Sequence, residues 1–189
     1  MRNARCVVLV GALCMTATID GGTALAETGA TPEAIAPAAS CSIPPLTLPL
    51  FGGTPATALL ATPVPVGAGT LTPVDAETEM SVRAGVAEIL ACLNVGDPKQ
   101  TYAVFTTGYL ARTFGNPATA YLPAFEQSLD EAPDASAPHY TAPAFTIEGQ
   151  TAGGQVVVSL TVTADDQSWT DTLVLVNVGG HWLIDSVLT

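Results

Sequence analysis

The residues able to do chemistry in this chain are few, and their spacing decides what they can do. His181 and Asp185 sit four apart in "GGHWLIDSV". In an extended strand that places them about 13 Å apart, too far for an imidazole–carboxylate pair. His181 therefore reads as a polar residue at a turn end and Asp185 as a rim acid. His139, in "SAPHYTAP", stands between prolines and reads as a loop residue. Neither histidine has a second histidine or a carboxylate at ligand spacing, so no metal site is expected. Asp165-Asp166 lacks the alternating oxygen ligands of a calcium loop and reads as a solvated turn. Neither a glycine-rich phosphate loop nor a Gly-x-Ser-x-Gly elbow occurs, and no cofactor is expected. Tyr102, Tyr109, Tyr121 and Tyr140 could donate hydrogen bonds to a ligand or a developing oxyanion. No acid stands at a core-facing helical position to serve with them, and Asp97 is committed to capping. Catalytic residues are therefore not assigned, and an enzyme is the less favoured reading. Tyr102, Tyr109, Tyr121, Trp169 and Trp182 remain as candidates to line a ligand pocket.

Of the four cysteines, Cys6 and Cys14 lie in an N-terminal stretch with the marks of an export signal. Arg2 and Arg5 precede an apolar run to about Thr18, and Ala24-Leu25-Ala26 offers small residues for cleavage. That run is shorter than the roughly 18 to 20 residues a membrane span requires. We expect residues 1–26 to be removed, with the mature protein secreted or at the cell surface and no integral membrane segment. Cys41 and Cys92 then remain, and an oxidising compartment favours a disulfide between them. A reactive thiol has less support, because neither cysteine has a basic or histidine neighbour.

The whole chain of 189 residues carries a formal charge of -12. Removing the signal leaves Arg83, Lys99 and Arg112 as the basic residues. Such a surface repels phosphate backbones, which excludes nucleic acid as a partner.

Residues 27–74 are rich in Pro, Ala and Thr, so neither helix nor sheet should propagate there. Only "CSIPPLTLPLF", residues 41–51, carries enough apolar surface to dock on a folded body; the remainder of the arm is expected to be mobile. From residue 75 the pattern is helical. Val82, Val86, Ile89 and Leu93 predict a helix from about Asp75 to Asn94. Gly96 stops it, and Asp97-Pro98 opens a second helix running to about Thr106. Tyr109, Leu110 and Phe114 suggest a third. Leu122, Phe125 and Leu129 suggest a fourth despite Pro123. The period then changes to two, giving strands at Tyr140–Glu148, "QVVVSLTVTA", "WTDTLVLVNV" and "HWLIDSVL". Asp165-Asp166 and Gly179-Gly180 supply the tight turns. In the last strand, Trp182, Ile184 and Leu188 should share one face, with His181, Leu183, Asp185 and Val187 on the other. The order is that of an α+β domain with helices on one face of an antiparallel sheet.

The ending "VNVGGHWLIDSV" and the helical pair "VAEILACLNVGDPKQTYAVFT" resemble the nuclear transport factor 2-like, or SnoaL-like, superfamily. The resemblance covers residues 75–189 and marks an exported bacterial member. It implies a curved antiparallel sheet wrapped around the first long helix, the cone also seen in cystatin-like folds. It also implies an apolar pocket for a small molecule and an outer sheet face that forms homodimers. The superfamily includes isomerases, cyclases and hydrolases as well as members without chemistry, so function has to come from the site. The expectation is a non-catalytic module for ligand binding or protein interaction. The alternative is an isomerase, cyclase or hydrolase acting on an apolar small molecule.

Overall fold

A computed structural model describes residues 33–38, 40–50, 70–115 and 121–188; of Tyr121 it describes the backbone only. Residues 1–32, where the export signal is expected, all of 51–69 in the Pro-rich arm and the Tyr121 side chain lie outside the described residues.

The first long helix, α1 (Ala76–Leu93), begins where the Asp75 carboxylate accepts from the Thr78 amide at 2.7 Å. This side chain satisfies one of the amides left without an intrahelical partner, and Glu77 and Glu79 in the first turn suit the positive end of the helix dipole. Val82, Val86, Ile89, Leu90 and Leu93 form its buried stripe. Gly96, at φ 75°, turns the chain. Asp97 caps α2 (Pro98–Tyr102) by accepting from the Lys99 amide at 2.9 Å. This helix stops at Tyr102, one turn before the end suggested by its apolar residues, because residues 104–106 are used otherwise. The Ile184 amide donates to the Val104 carbonyl at 2.8 Å, and the Thr106 amide donates to the Ile184 carbonyl at 2.9 Å. That segment thus leaves the helix to run beside the last strand. Helices α3 (Thr107–Phe114) and α4 (Tyr121–Leu129) follow.

The sheet has five strands in chain order: β1 (Glu33–Ile35), β2 (Tyr140–Gln150), β3 (Val156–Ala164), β4 (Gln167–Val178) and β5 (His181–Leu188), all antiparallel. One face carries the core. Val158, Leu160, Val162, Leu173, Leu175, Trp182 and Ile184 form a single apolar cluster with residues of all the long helical stretches. Burying one sheet face under helices is the α+β arrangement. Asp165 at φ 52° and Gly179 and Gly180 at φ 62° and 95° make the two tight turns of the last three strands.

Two features depart from the sequence reading. Part of the Pro-rich arm is not mobile: residues 33–35 pair with β2, Glu33 opposite Phe145 and Ile35 opposite Ala142. The Ala38 amide then donates to the Ala87 carbonyl on α1 at 2.8 Å. Second, the alternation in β5 breaks. Leu175 pairs with Ile184 but Val174 pairs with Ser186, so Asp185 is an extra residue, a β-bulge. Beyond it the parity flips, and Val187, opposite Leu173, joins the core side while Leu188 is left exposed.

Cys41 and Cys92 form a disulfide. Residues 40–50 lie along the helices as a strap, with Ile43 buried and Leu46, Leu48 and Leu50 partly so. The Leu46 amide donates to the Lys99 carbonyl at 3.2 Å and the Leu50 amide to a Glu126 carboxylate oxygen at 2.9 Å.

Candidate functional site

The parity of β4 places Trp169, Asp171, Leu173 and Leu175 on one face, and the last two belong to the core. Asp171 is therefore a carboxylate on the helix-covered side of the sheet. Its neighbour across the ladder is buried Leu160, and that of Trp169 is buried Val162. The Trp169 indole N–H donates to Asp171 Oδ2 at 2.9 Å. Burial raises the Asp171 pKa above the ordinary aspartate value, and the indole hydrogen bond opposes that rise.

Tyr109 of α3 is near enough to feel the Asp171 charge. Thr106 caps α3 by accepting from the Tyr109 amide at 3.0 Å, which fixes Tyr109 at the first turn. Its ring stacks on Phe105 at 4.8 Å between centroids. Burial raises the Tyr109 pKa, and the Asp171 charge pushes the same way. The hydrogen bond with Thr113 and the charge of Arg112 pull against them. Tyr102 is likewise raised by burial, then by Tyr109 and Tyr140; Tyr140 is raised by burial, then by Asp165. Tyr102 meets Phe125 edge-on at 4.8 Å, and Phe125 stacks on Phe114 at 3.8 Å.

Of the residues expected to line a pocket, Trp169 is bonded to Asp171, Tyr109 feels its charge, and Tyr102 packs with Phe114 and Phe125. Trp182 is elsewhere: its indole N–H donates to Ser81 Oγ at 2.9 Å and the ring lies against Gly85 of α1. The Tyr121 side chain lies outside the described residues. Asp171 is not among the candidates the sequence offers, because it is a strand acid and not one on a core-facing helical position. The available signal was its place two residues from Trp169 and two from Leu173, on the apolar parity of "WTDTLVL".

Among the described residues, the lysine and arginines are paired with acids other than Asp171. Arg112 ion-pairs with Asp185 at 3.5 Å and donates to its carbonyl, and Thr106 donates to the same carboxylate at 2.7 Å. Arg83 pairs with Glu33 and Glu79 and lies over the Phe145 ring, and Lys99 pairs with Asp130. Every lysine and arginine among the described residues thus has another acid.

His181 and Asp185 do not act on each other, but His181 does have an acid. Its Nδ1 lies 3.1 Å from Glu88 Oε2, and Glu88 also accepts from the Ser42 hydroxyl. The sequence reading had left His181 without a carboxylate, because the partner comes from α1, 93 residues away. The hydroxyl and the imidazole both bind the carboxylate and not each other. This arrangement fastens the strap and does not activate the serine, which would need the imidazole as its base.

Among the described residues no group of three or more His, Cys, Asp or Glu is placed to hold a metal, and no helix is long and apolar enough to cross a membrane. Compared with known proteins, the chain matches no family model, no curated protein and no solved structure, so its function rests on this geometry.

Proposed function

We propose that the chain is an exported domain of the nuclear transport factor 2-like, SnoaL-like kind that binds an apolar small molecule without transforming it. The half-buried Asp171, bonded to the Trp169 indole and paired across the ladder with buried Leu160, carries the reading. A carboxylate costs free energy when desolvated, and here no lysine or arginine of the described residues compensates it. A few polar groups converging in an apolar setting are the usual make-up of a small-molecule site. Helices against one face of an antiparallel sheet suit a cone, and the disulfide suits a compartment reached through an export signal. Homodimerisation through the outer sheet face has weaker support, since the β3 and β4 residues there include Thr161 and Thr170, hydrogen-bonded at 2.9 Å, and Thr163 and Ser168. Sedimentation would show whether the chain pairs at all.

The test is native mass spectrometry of the protein isolated from its source. A retained small molecule, lost in Asp171→Leu but kept in Asp166→Asn, is the expected result. A chain of bare mass that gains nothing from any apolar compound library would end this reading.

One observation favours a second reading, in which a raised-pKa acid and a tyrosine hydroxyl together stabilise an enolate. That chemistry needs a site that welcomes negative charge. Here burial and neighbouring groups raise the pKa values of Tyr102, Tyr109 and Tyr140, which opposes it. Turnover of a polycyclic ketone, abolished in both Asp171→Asn and Tyr109→Phe, would establish catalysis.

A further inference from the structure

We infer that the ligand of this site is an organic ammonium ion, an amine or quaternary ammonium carried on an apolar body. The inference rests on the binding reading just given and deepens it.

Asp171 is a carboxylate held on the apolar side of the sheet between Leu160 and the indole of Trp169. Desolvation there penalises its charge, and three things could relieve the penalty: a proton, a basic side chain, or a cation from outside. The basic side chains of the described chain are spoken for. Arg112, whose charge reaches Tyr109, is drawn to Asp185, which also accepts from Thr106, and Arg83 and Lys99 are engaged with Glu33, Glu79 and Asp130. An aromatic ring with an electron-rich face adjoins Asp171, that of Trp169 on the same strand face, and Tyr109 of α3 is near enough to feel the Asp171 charge. An organic cation is attracted to such faces, and more strongly where water is excluded. The charged groups that bear on the site besides Asp171 are Asp165, which acts on Tyr140, and the Arg112–Asp185 pair. Counted together they leave the region negative. The whole chain, at a formal -12, adds a field of the same sign. An anionic ligand meets repulsion from Asp171, from Asp165 and from the field of the whole chain. A neutral ligand gains the aromatic contact but leaves Asp171 uncompensated. Only a cation gains from both.

The experiment titrates the full chain with three compounds of one shape and different charge: phenethylamine, phenethyl alcohol and phenylacetate. Binding is followed by calorimetry and by tryptophan fluorescence. The amine is expected to bind at least about tenfold more tightly than the alcohol, with phenylacetate weakest. Asp171→Asn should bring amine and alcohol to equal affinity. Asp166→Asn removes the same charge from an exposed turn and should leave the preference intact. Equal binding of amine and alcohol by the native chain overturns the cation assignment while leaving the small-molecule site standing. An equal loss of amine affinity in Asp166→Asn overturns it too, since a diffuse field would then explain the preference. Failure of all three compounds to bind counts against both the assignment and the site. Thermal unfolding of each variant shows that the fold is kept.

Discussion

Asp171 carries opposite consequences for stability and for binding. Its pKa is raised by burial, so the folded chain holds this proton more tightly than the unfolded chain does. Stability from this group is then greatest at low pH and is lost as pH rises through the unfolded and then the folded pKa. Asp171→Asn, neutral at every pH, should therefore unfold at neutral pH no earlier than the native chain, although ligand binding changes. Thermal melts at pH 4 and pH 7 check this, the variant gaining on the native chain as pH rises. Gly85 gives a second test. A Cβ there would come within 2.6 Å of the Trp182 Cβ and 2.7 Å of its Cδ1. Glycine to alanine inside a helix ordinarily stabilises by about 0.5–1 kcal/mol. Gly85→Ala should instead cost about 1–3 kcal/mol, because the indole, hydrogen-bonded to Ser81, must be displaced. A urea midpoint that rises would show that the contact between α1 and β5 is looser than described.

Among the elements, the strap shows most clearly how local sequence and distant contacts divide the work. Residues 40–50 have no regular structure, yet they are tied to α1 by the disulfide and by Ser42 on Glu88, and to α2 through Gln100, which donates to the Ile43 carbonyl. Removing the cross-link in a Cys41→Ser, Cys92→Ser chain, a closure across 51 positions, should cost about 4 kcal/mol in the chain-entropy account. Denaturant unfolding of the two proteins measures it. The Glu88 pKa is lowered: burial acts to raise it, but the hydrogen bonds from Ser42 and His181 outweigh that. The latch's contribution is thus present above the unfolded glutamate pKa and fades as pH falls through the lower folded value. Glu88→Gln should remove that acid-side dependence, which pH-dependent melting would show.

The elements were legible wherever a period or a cap speaks locally: Asp75, Asp97 and the Gly179-Gly180 turn all lie where capping and turn chemistry put them. The α+β order was legible for the same reason. What escaped depends on pairing between distant residues. Three residues of strand at Glu33–Ile35 are too short to carry a period, and β2 selects them. The Asp185 bulge follows from where Val104 and Thr106 take hold of Ile184. At the site, the tyrosines and Trp169 were found by type, but Asp171 needed the strand's facing and Glu88 needed the packing of α1 beside β5.

For the molecule as a whole, charge is the dominant global quantity. With a formal -12 over 189 residues, self-repulsion opposes the compact state and salt screens it. Raising ionic strength from about 10 mM to about 150 mM, a range over which the Debye length falls from about 30 Å to about 8 Å, should raise the melting temperature. A melting temperature that falls would mean that ion pairs such as Arg112–Asp185 outweigh the net repulsion. The placement of β1 has a further outcome at this scale. The border of β2 includes Pro143, which offers no amide, and most of the row near it is already occupied by Glu33 to Ile35. A chain trimmed to begin at residue 40 would leave that row bare to the solvent, and another molecule's strand could fill the vacancy. Shortening the amino-terminal side should thus make the protein clump on storage faster than the full chain does, with the disulfide and the sheet's interior still intact.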